Sequence, residues 1–144
     1  MIDYATDEEL PVAAKIFFEG LKQEEGSPWD GWLLRHRITS NEDAGRWIAE
    51  AGGLRGRILV AKRDKHVAGM CGLRMIDPSL TRLSTGVIVL PSERRKRVGS
   101  SLLQRSLIEA IDVGASRLDV YTITGIPAAR YLYPKYGGVE DEKD

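Results

Sequence analysis

The sequence predicts a single α+β domain, in which a mixed, mostly antiparallel central sheet is flanked by helices. Two observations support this fold class. Apolar residues recur at helical spacing in separate segments, and short runs rich in β-branched residues, bounded by turn signals, indicate strands. The elements follow the order strand, helix, helix, three strands, helix, strand, helix, which favours a layered α+β domain over a doubly wound sheet. A length of 144 residues suits one domain with its own core.

Residues 1–56 are expected to contain a first strand and two amphipathic helices. The strand covers 2–5, and the next four residues match a capping box, in which Thr6 and Glu9 satisfy free amides at a helix start. The helix that follows has inward residues at helical spacing, namely Leu10, Ala13, Ala14, Phe17 and Leu21. A second helix begins at 40–43, with inward Ala44, Trp47, Ile48 and Ala51. The pattern does not decide whether residues 29–37 form a helix or an ordered loop.

Residues 57–139 are expected to form most of the sheet. Two strands, 57–62 and 66–75, surround a polar turn and predict a hairpin, and a third strand covers 82–90 before Pro91. A helix then runs from Val98 to Gly114, with an inward stripe of Leu102, Leu103, Leu107, Ala110 and Ile111. A further strand at 117–123 and a short helix at 128–132 follow. The charged tail 140–144 is expected to fray.

Composition narrows the classes of function. The 21 basic and 21 acidic residues cancel, which argues against a nucleic-acid or membrane partner. Cys71 is the only cysteine, so an intramolecular disulfide and a multi-cysteine metal site are excluded, and its apolar neighbours predict a buried thiol. No signal-peptide pattern and no apolar run of about 20 residues is visible, so we expect a reducing, cytoplasmic setting.

The passage that carries chemistry is a strand that leads through a basic turn directly into an amphipathic helix. The first amides of a helix have no intrahelical partner, and the helix dipole places partial positive charge there. Gly99 lets the backbone approach a bulky anion, and Ser100 and Ser101 offer hydroxyl donors. The turn adds four consecutive cations, Arg94, Arg95, Lys96 and Arg97. A pyrophosphate suits this site; a solvated charge run and a nucleic-acid patch are the alternatives.

Here the sequence resembles the GNAT superfamily of N-acetyltransferases. Its pyrophosphate loop reads Arg/Gln-x-x-Gly-x-Gly/Ala, and residues 94–99 match at Arg94 and Gly99, whereas Arg97 stands in place of the first glycine. Downstream, residues 129–137 resemble the Ala-x-x-Leu-Tyr-x-Lys-x-Gly signature of the family. One predicted helix and one predicted strand separate the two motifs, as in the family.

The resemblance implies an enzyme that moves an acetyl group from acetyl-CoA, its acyl-donor substrate, to a primary amine without a metal. The backbone of Val87 and Val89 would bind the pantetheine arm and the thioester carbonyl. Tyr133 would protonate the departing thiolate, although Tyr131 and Tyr136 compete with it on pattern alone. Residues 57–139 would be the acetyl-CoA-binding core and 1–56 the acceptor side. The pyrophosphate would be held by Arg94, Arg95, Lys96, Arg97, Val98, Gly99 and Ser100.

The sequence also departs from the family pattern. Many relatives have a glutamate as general base on the strand before the loop, but residues 83–86 contain no carboxylate. His36, His66 and Asp119 are the other candidate bases. Only seven residues follow Gly137, too few for the two closing strands of most relatives, so the sheet edge is shorter or is completed by a partner chain, as in a homodimer.

These departures leave a second function open. The chain would then be a non-catalytic acyl-CoA sensor or interaction module, which binds the donor but transfers nothing. The acceptor of an active enzyme, whether a small molecule or a protein amine, does not follow from the sequence. Trp29, Trp32 and Trp47 could line an acceptor pocket, but aromatic residues at this spacing are typical of a core.

Overall fold

A computed structural model describes residues 1–22, 30–51, 57–75, 82–93 and 97–120. In these ranges the chain forms five strands and four α-helices. The N-terminal elements are β1 (Ile2–Tyr4), α1 (Leu10–Lys22), α2 (Asp30–Arg35) and α3 (Asn41–Ala51). They are followed by β2 (Ile58–Arg63), β3 (His66–Met75), β4 (Arg82–Val89), a 3₁₀ helix (Pro91–Glu93), α4 (Val98–Asp112) and β5 (Arg117–Val120). The helix expected at 128–132, the rest of the strand expected at 117–123 and the C-terminal sheet edge lie outside the described residues.

The five strands form one sheet in the order β1-β2-β3-β4-β5. The pairs β1–β2, β2–β3 and β3–β4 are antiparallel, whereas β5 runs parallel to β4. The mixed, mostly antiparallel sheet predicted from the sequence is therefore confirmed. The predicted hairpin is also present, because Arg63 pairs with His66 across a two-residue turn. Asp64 and Lys65 in that turn have φ of 49° and 70°, as a type I′ turn requires.

The sheet separates two apolar layers. Strand β2 shows the alternation most clearly, since Ile58 and Val60 pack with α1 and α3, whereas Leu59 and Ala61 pack with α4. Helices α1 and α3 therefore cover one face of the sheet, and α4 covers the other. None of the helices in the described ranges combines the length and the apolar character needed to cross a bilayer.

The start of α1 confirms the predicted capping box. The Thr6 amide donates to Glu9 Oε1 at 3.0 Å, and the Glu9 amide donates to the Thr6 hydroxyl at 3.3 Å. Near its other end the helix lies very close to β4, because a Cβ built on Gly20 would stand 2.6 Å from Ile88 Cγ2. Helix α1 is thereby held against the end of β4 that precedes the basic turn.

The buried face of helix α4 differs in part from the inward stripe that the sequence predicts. Leu102, Leu103 and Ala110 are buried as expected, but Ile111 is 73% exposed, so its inward placement was wrong. The buried face instead includes the polar residues Ser106 and Glu109. Each has a partner that makes burial tolerable: Ser106 donates to the Leu102 carbonyl, and Glu109 binds arginines. Ile111 lies about 100° around the helix from Ala110 and faces away from the sheet.

Candidate functional site

The outer edge of β4 offers peptide groups beyond Thr85, its last pairing with β5 within the described residues. Val87 and Val89 are paired with Cys71 and Gly69 of β3, and the Leu90 amide donates to the Ala68 carbonyl at 3.0 Å. Because hydrogen-bonded and non-bonded pairs alternate in an antiparallel ladder, the peptide groups of Val87 and Val89 point away from β3. Within the described ranges β5 pairs with β4 only as far as Thr85. These groups face the place where a bound molecule could extend the sheet.

The start of α4 offers a second set of donors. The first intrahelical bond runs from the Ser101 amide to the Arg97 carbonyl at 3.0 Å, and the Arg97 side chain makes no capping bond. The amides of Val98, Gly99 and Ser100 have no acceptor among the residues that the structure describes. The start of α4 therefore presents three amide donors together with the positive end of the helix dipole, an arrangement that suits an anion.

Arg97 has a backbone conformation that is typical of glycine. Its φ of 65° and ψ of 14° lie in the left-handed region, which glycine adopts without a steric penalty. The resembled loop has glycine at this position, whereas the present chain holds the left-handed conformation with an arginine. The cations Arg94, Arg95 and Lys96, which directly precede Arg97 in the sequence, lie outside the described residues.

A groove of about 270 Å³ touches the same helix start from the side of β1 and β2. Its cationic lining comes from Lys62, Arg63 and Arg97. Lys62 is engaged by Glu9 at 2.6 Å and Arg63 by Glu93 at 3.6 Å. Val87 and Val89 do not line this groove, so it is distinct from the outer edge of β4.

A buried carboxylate that the sequence analysis did not single out lies directly before the basic turn. Glu93 is 8% exposed, and its Oε1 stands 2.7 Å from Nε2 of His66. The nearest signal in the sequence is the position of Glu93 between a strand and four cations. Its partner His66 is 27 positions away in the chain, so the pair was not predictable from spacing. The ring of His66, a candidate base in the sequence, thus contacts the Glu93 carboxylate.

The other two candidate bases also have partners. Both carboxylate oxygens of Asp119 accept hydrogen bonds, from Arg82 Nε at 2.7 Å and from Arg117 Nε at 2.5 Å. His36 lies on the α2 side of the molecule, where its ring stacks on Trp32 with centroids 4.1 Å apart. The described contacts bring neither residue to Val87 or Val89.

The aromatic residues of the first half form part of the core. Phe17 lies 6.1 Å from Trp32 and 5.2 Å from Trp47 between ring centroids, and both tryptophans pack against the buried cluster under α1 and α3. This arrangement agrees with the core interpretation of Trp32 and Trp47. Trp29 lies outside the described residues.

Cys71 is excluded as a nucleophile, as the sequence indicated. Its side chain is 0% exposed, and Sγ lies 3.2 Å from the Ser106 hydroxyl. Burial is the main reason why the pKa of this thiol is raised to about 11. The candidate acid Tyr133 and its competitors Tyr131 and Tyr136 lie outside the described residues, so their roles stay predictions.

A polar cluster anchors α4 to the opposite edge of the sheet. The Glu109 carboxylate accepts hydrogen bonds from the Tyr4 hydroxyl at 2.6 Å, from Arg57 at 3.0 Å and from Arg105 at 3.0 Å. Burial would raise the pKa of Glu109, but the hydrogen bonds from Tyr4 and Arg105 and the charges of both arginines outweigh it. The pKa of Glu109 therefore lies below its ordinary value. This cluster therefore fixes the position of α4, whose first turn carries the amides of Val98, Gly99 and Ser100.

Comparison with solved structures shows the same fold in several acetyltransferases. A ribosomal-protein-alanine N-acetyltransferase from Brucella melitensis has a TM-score of 0.75 at 21% identity, over 95% of this chain and 83% of its own. An N-acetyltransferase from Staphylococcus aureus Mu50 has a TM-score of 0.75 at 20% identity, over 95% and 81%. A Salmonella typhimurium protein solved with its cofactor acetyl-CoA has a TM-score of 0.75 at 18% identity, over 95% and 78%.

The comparison of sequences identifies the family. No protein of curated function matches the sequence significantly. The model of the Acetyltransferase (GNAT) family, however, matches residues 18–138, which include every described element from the end of α1 to β5. On this match, over most of its length, the chain belongs to the GNAT family of acetyltransferases.

Proposed function

We propose that this protein transfers an acetyl group from acetyl-CoA to a primary amine by direct attack of the amine on the thioester. The observation that carries the proposal is the position of two donor sets in one stretch of chain. The outward peptide groups of Val87 and Val89 are followed, after a short basic turn, by the free amides of Val98, Gly99 and Ser100. Acetyl-CoA is an elongated thioester with a diphosphate, so it would use both donor sets.

In the proposed complex, the diphosphate of acetyl-CoA accepts hydrogen bonds from the amides at the start of α4. The cations Arg94, Arg95, Lys96 and Arg97 add electrostatic attraction. The pantetheine arm extends along β4 and pairs with Val87 and Val89 as an added strand would. This placement brings the thioester carbonyl to a backbone donor of β4, which stabilises the oxyanion of the tetrahedral intermediate.

The proposed proton transfers involve an acid within the chain and a base that β4 does not supply. Tyr133 would donate its phenolic proton to the leaving thiolate of CoA, because a phenol with an ordinary pKa near 10 is protonated at neutral pH. Leu83 to Gly86 supply no carboxylate, so water or a residue on another element would deprotonate the incoming ammonium. The acceptor is a small molecule or a protein amine.

Ligand binding and turnover test the proposal separately. Acetyl-CoA at about 100 times its dissociation constant should stabilise the protein by about 2.7 kcal/mol, which a thermal-melt assay detects. Release of free thiol across a panel of amines measures turnover. Tyr133→Phe should bind acetyl-CoA like the wild type and lose most of the thiol release. The absence of a thermal shift at millimolar acetyl-CoA would refute the assignment.

A second function, a non-catalytic acyl-CoA sensor or interaction module, is favoured by one observation. Residues 83–86 contain no carboxylate that could serve as a general base on β4. This alternative requires a thermal shift with acetyl-CoA and no thiol release with any amine. Thiol release that disappears in Tyr133→Phe would reject it.

A further inference from the structure

The mostly buried carboxylate of Glu93 joins the β2–β3 hairpin to the segment that leads into the basic turn. Glu93 ends the 3₁₀ helix, where its amide donates to the Leu90 carbonyl at 2.8 Å, and only residues 94–96 separate it from Arg97. Its carboxylate reaches back to His66 Nε2 at 2.7 Å and to Arg63 Nε at 3.6 Å. The residue directly before the proposed diphosphate loop is thus tied to the sheet.

The hairpin presents both partners of Glu93 together. Arg63 and His66 are directly opposite each other in the register, so their side chains lie on the same face of the hairpin. The type I′ turn between them restricts how the two strand ends move relative to each other. Strands β2 and β3 belong to the centre of the sheet, which makes the hairpin a rigid support for Glu93.

The far end of the basic turn is also held by β3. Val98, the first residue of α4, is 6% exposed and packs over Gly69. A Cβ built on Gly69 would lie 2.9 Å from the Ile88 carbonyl oxygen and 3.1 Å from Val98 Cγ1. Glu93 and Val98, the described residues on either side of the basic turn, are therefore both held by contacts, and the amides that follow Arg97 are oriented before any ligand binds.

From these contacts we infer that His66 and Arg63, acting through Glu93, are positioning residues for the diphosphate of acetyl-CoA. The inference rests on the proposed function. Loss of the His66 contact would act in two ways, since it would release Glu93, the residue directly before the proposed loop, from one of its two hairpin partners and leave its carboxylate less compensated. Preorganised donors bind more tightly than mobile ones, and like charges repel, so both effects weaken diphosphate binding.

The test compares acetyl-CoA with a ligand that lacks the diphosphate. Isothermal titration gives the dissociation constant of acetyl-CoA for the wild type, His66→Leu, His66→Gln and Lys65→Gln. An NMR titration gives that of S-acetylpantetheine for the same proteins, and melting curves establish that each is folded. Lys65→Gln is the matched control, because it removes an exposed cation from the same turn, and Lys65 has no described contact with Glu93.

We expect His66→Leu to bind acetyl-CoA at least about fivefold more weakly than the wild type, the lower end of typical coupling between sites. His66→Gln keeps a donor near the Nε2 position and should recover most of the affinity, and Lys65→Gln should stay within about twofold of the wild type. S-acetylpantetheine should bind all four proteins equally.

Two results would overturn the inference while leaving the proposed function intact. One is an acetyl-CoA affinity of His66→Leu equal to that of the wild type. The other is an equal loss of affinity for acetyl-CoA and S-acetylpantetheine, which would indicate general damage to the site. A folded wild type that binds no acetyl-CoA would instead remove the proposed function, and this inference with it.

Discussion

At Arg97 the chain holds an arginine in a backbone conformation that suits glycine. A left-handed conformation costs a residue with a side chain about 1 kcal/mol or more. Arg97 is exposed, and its side chain does not cap α4. The presence of an arginine here is understandable if the cation serves ligand binding, so folding stability and affinity should respond in opposite directions to its removal.

The substitution Arg97→Gly tests whether Arg97 lowers folding stability while it raises the affinity for acetyl-CoA. We expect the free energy of unfolding to stay equal or to rise by up to about 1 kcal/mol, because glycine relieves the strain but gains entropy in the unfolded chain. Affinity for acetyl-CoA should fall, because one cation is lost. Urea unfolding and titration calorimetry measure the two quantities. Arg97→Val is the control and should lower stability by about 1–2 kcal/mol; a clear loss of stability in Arg97→Gly would contradict this account.

The Cys71 thiol should be unreactive in the folded protein. It is fully buried and its pKa is raised to about 11, mainly by burial, so almost no thiolate forms near neutral pH. A chromogenic disulfide reagent at pH 8 should therefore detect no thiol in native protein and one thiol per chain in urea. Rapid native labelling would show that the core beneath α4 opens readily.

Residues whose partners are close in sequence were predictable, and residues with distant partners were not. The Thr6–Glu9 capping box involves a spacing of three and is present as expected. The Glu93–His66 pair joins positions 27 apart, and its geometry exists only once the β2–β3 hairpin packs beside the 3₁₀ helix. The donor set at Val98, Gly99 and Ser100 was predictable because a helix start exposes its amides in any context.

At the scale of elements, α1 and α4 hold the two faces of the sheet through different contacts. Helix α1 approaches β4 closely at Gly20, and α4 is anchored by the hydrogen bonds of Glu109 to β1, Arg57 and its own Arg105. The inward stripe of α4 was only partly predictable, because hydrophobicity alone does not reveal that the buried polar groups of Ser106 and Glu109 have hydrogen-bond partners. The two helices give two separate predictions.

Gly20→Ala should destabilise the protein although alanine favours helices. The added methyl would meet Ile88 Cγ2 at 2.6 Å, so α1 or Ile88 must shift, at a cost of about 1–3 kcal/mol. Urea unfolding measures the change. In the matched variant Gly45→Ala, the methyl would meet Ala14 Cβ at 3.8 Å, an ordinary contact, so stability should rise by up to about 1 kcal/mol. Equal effects of the two substitutions would contradict the close packing of α1 on β4.

Glu109→Gln should lower the free energy of unfolding by about 2 kcal/mol at pH 7, because three charged or phenolic donors lose their carboxylate. The folded-state pKa of Glu109 lies below its ordinary value of 4.5, so its contribution is present above that value and is lost as the pH falls through the folded-state pKa. The difference between wild type and variant in urea unfolding should shrink accordingly in acid. An exposed control, Glu8→Gln, should change little. A difference that grows in acid would refute this role.

For the whole molecule, the α+β class, the hairpin and the mostly antiparallel sheet followed from hydrophobic period and turn residues, which are local properties. Whether 29–37 is helical was not decidable from period alone, and the structure places α2 at Asp30–Arg35. The parallel pairing of β5 with β4 depends on the crossover through α4, which no local pattern encodes. The fold brings the outer edge of β4 and the start of α4 together, and the proposed activity depends on that juxtaposition.

The most direct test is an NMR titration of the isotope-labelled protein with acetyl-CoA, in which backbone amide resonances are followed residue by residue. We expect saturable shifts at Val98, Gly99 and Ser100, together with Val87 and Val89. ADP, which carries adenosine and the diphosphate but no pantetheine arm, should shift the three amides at the helix start. Saturable binding that leaves the amides of Val98, Gly99 and Ser100 unchanged would contradict a diphosphate seat at the start of α4.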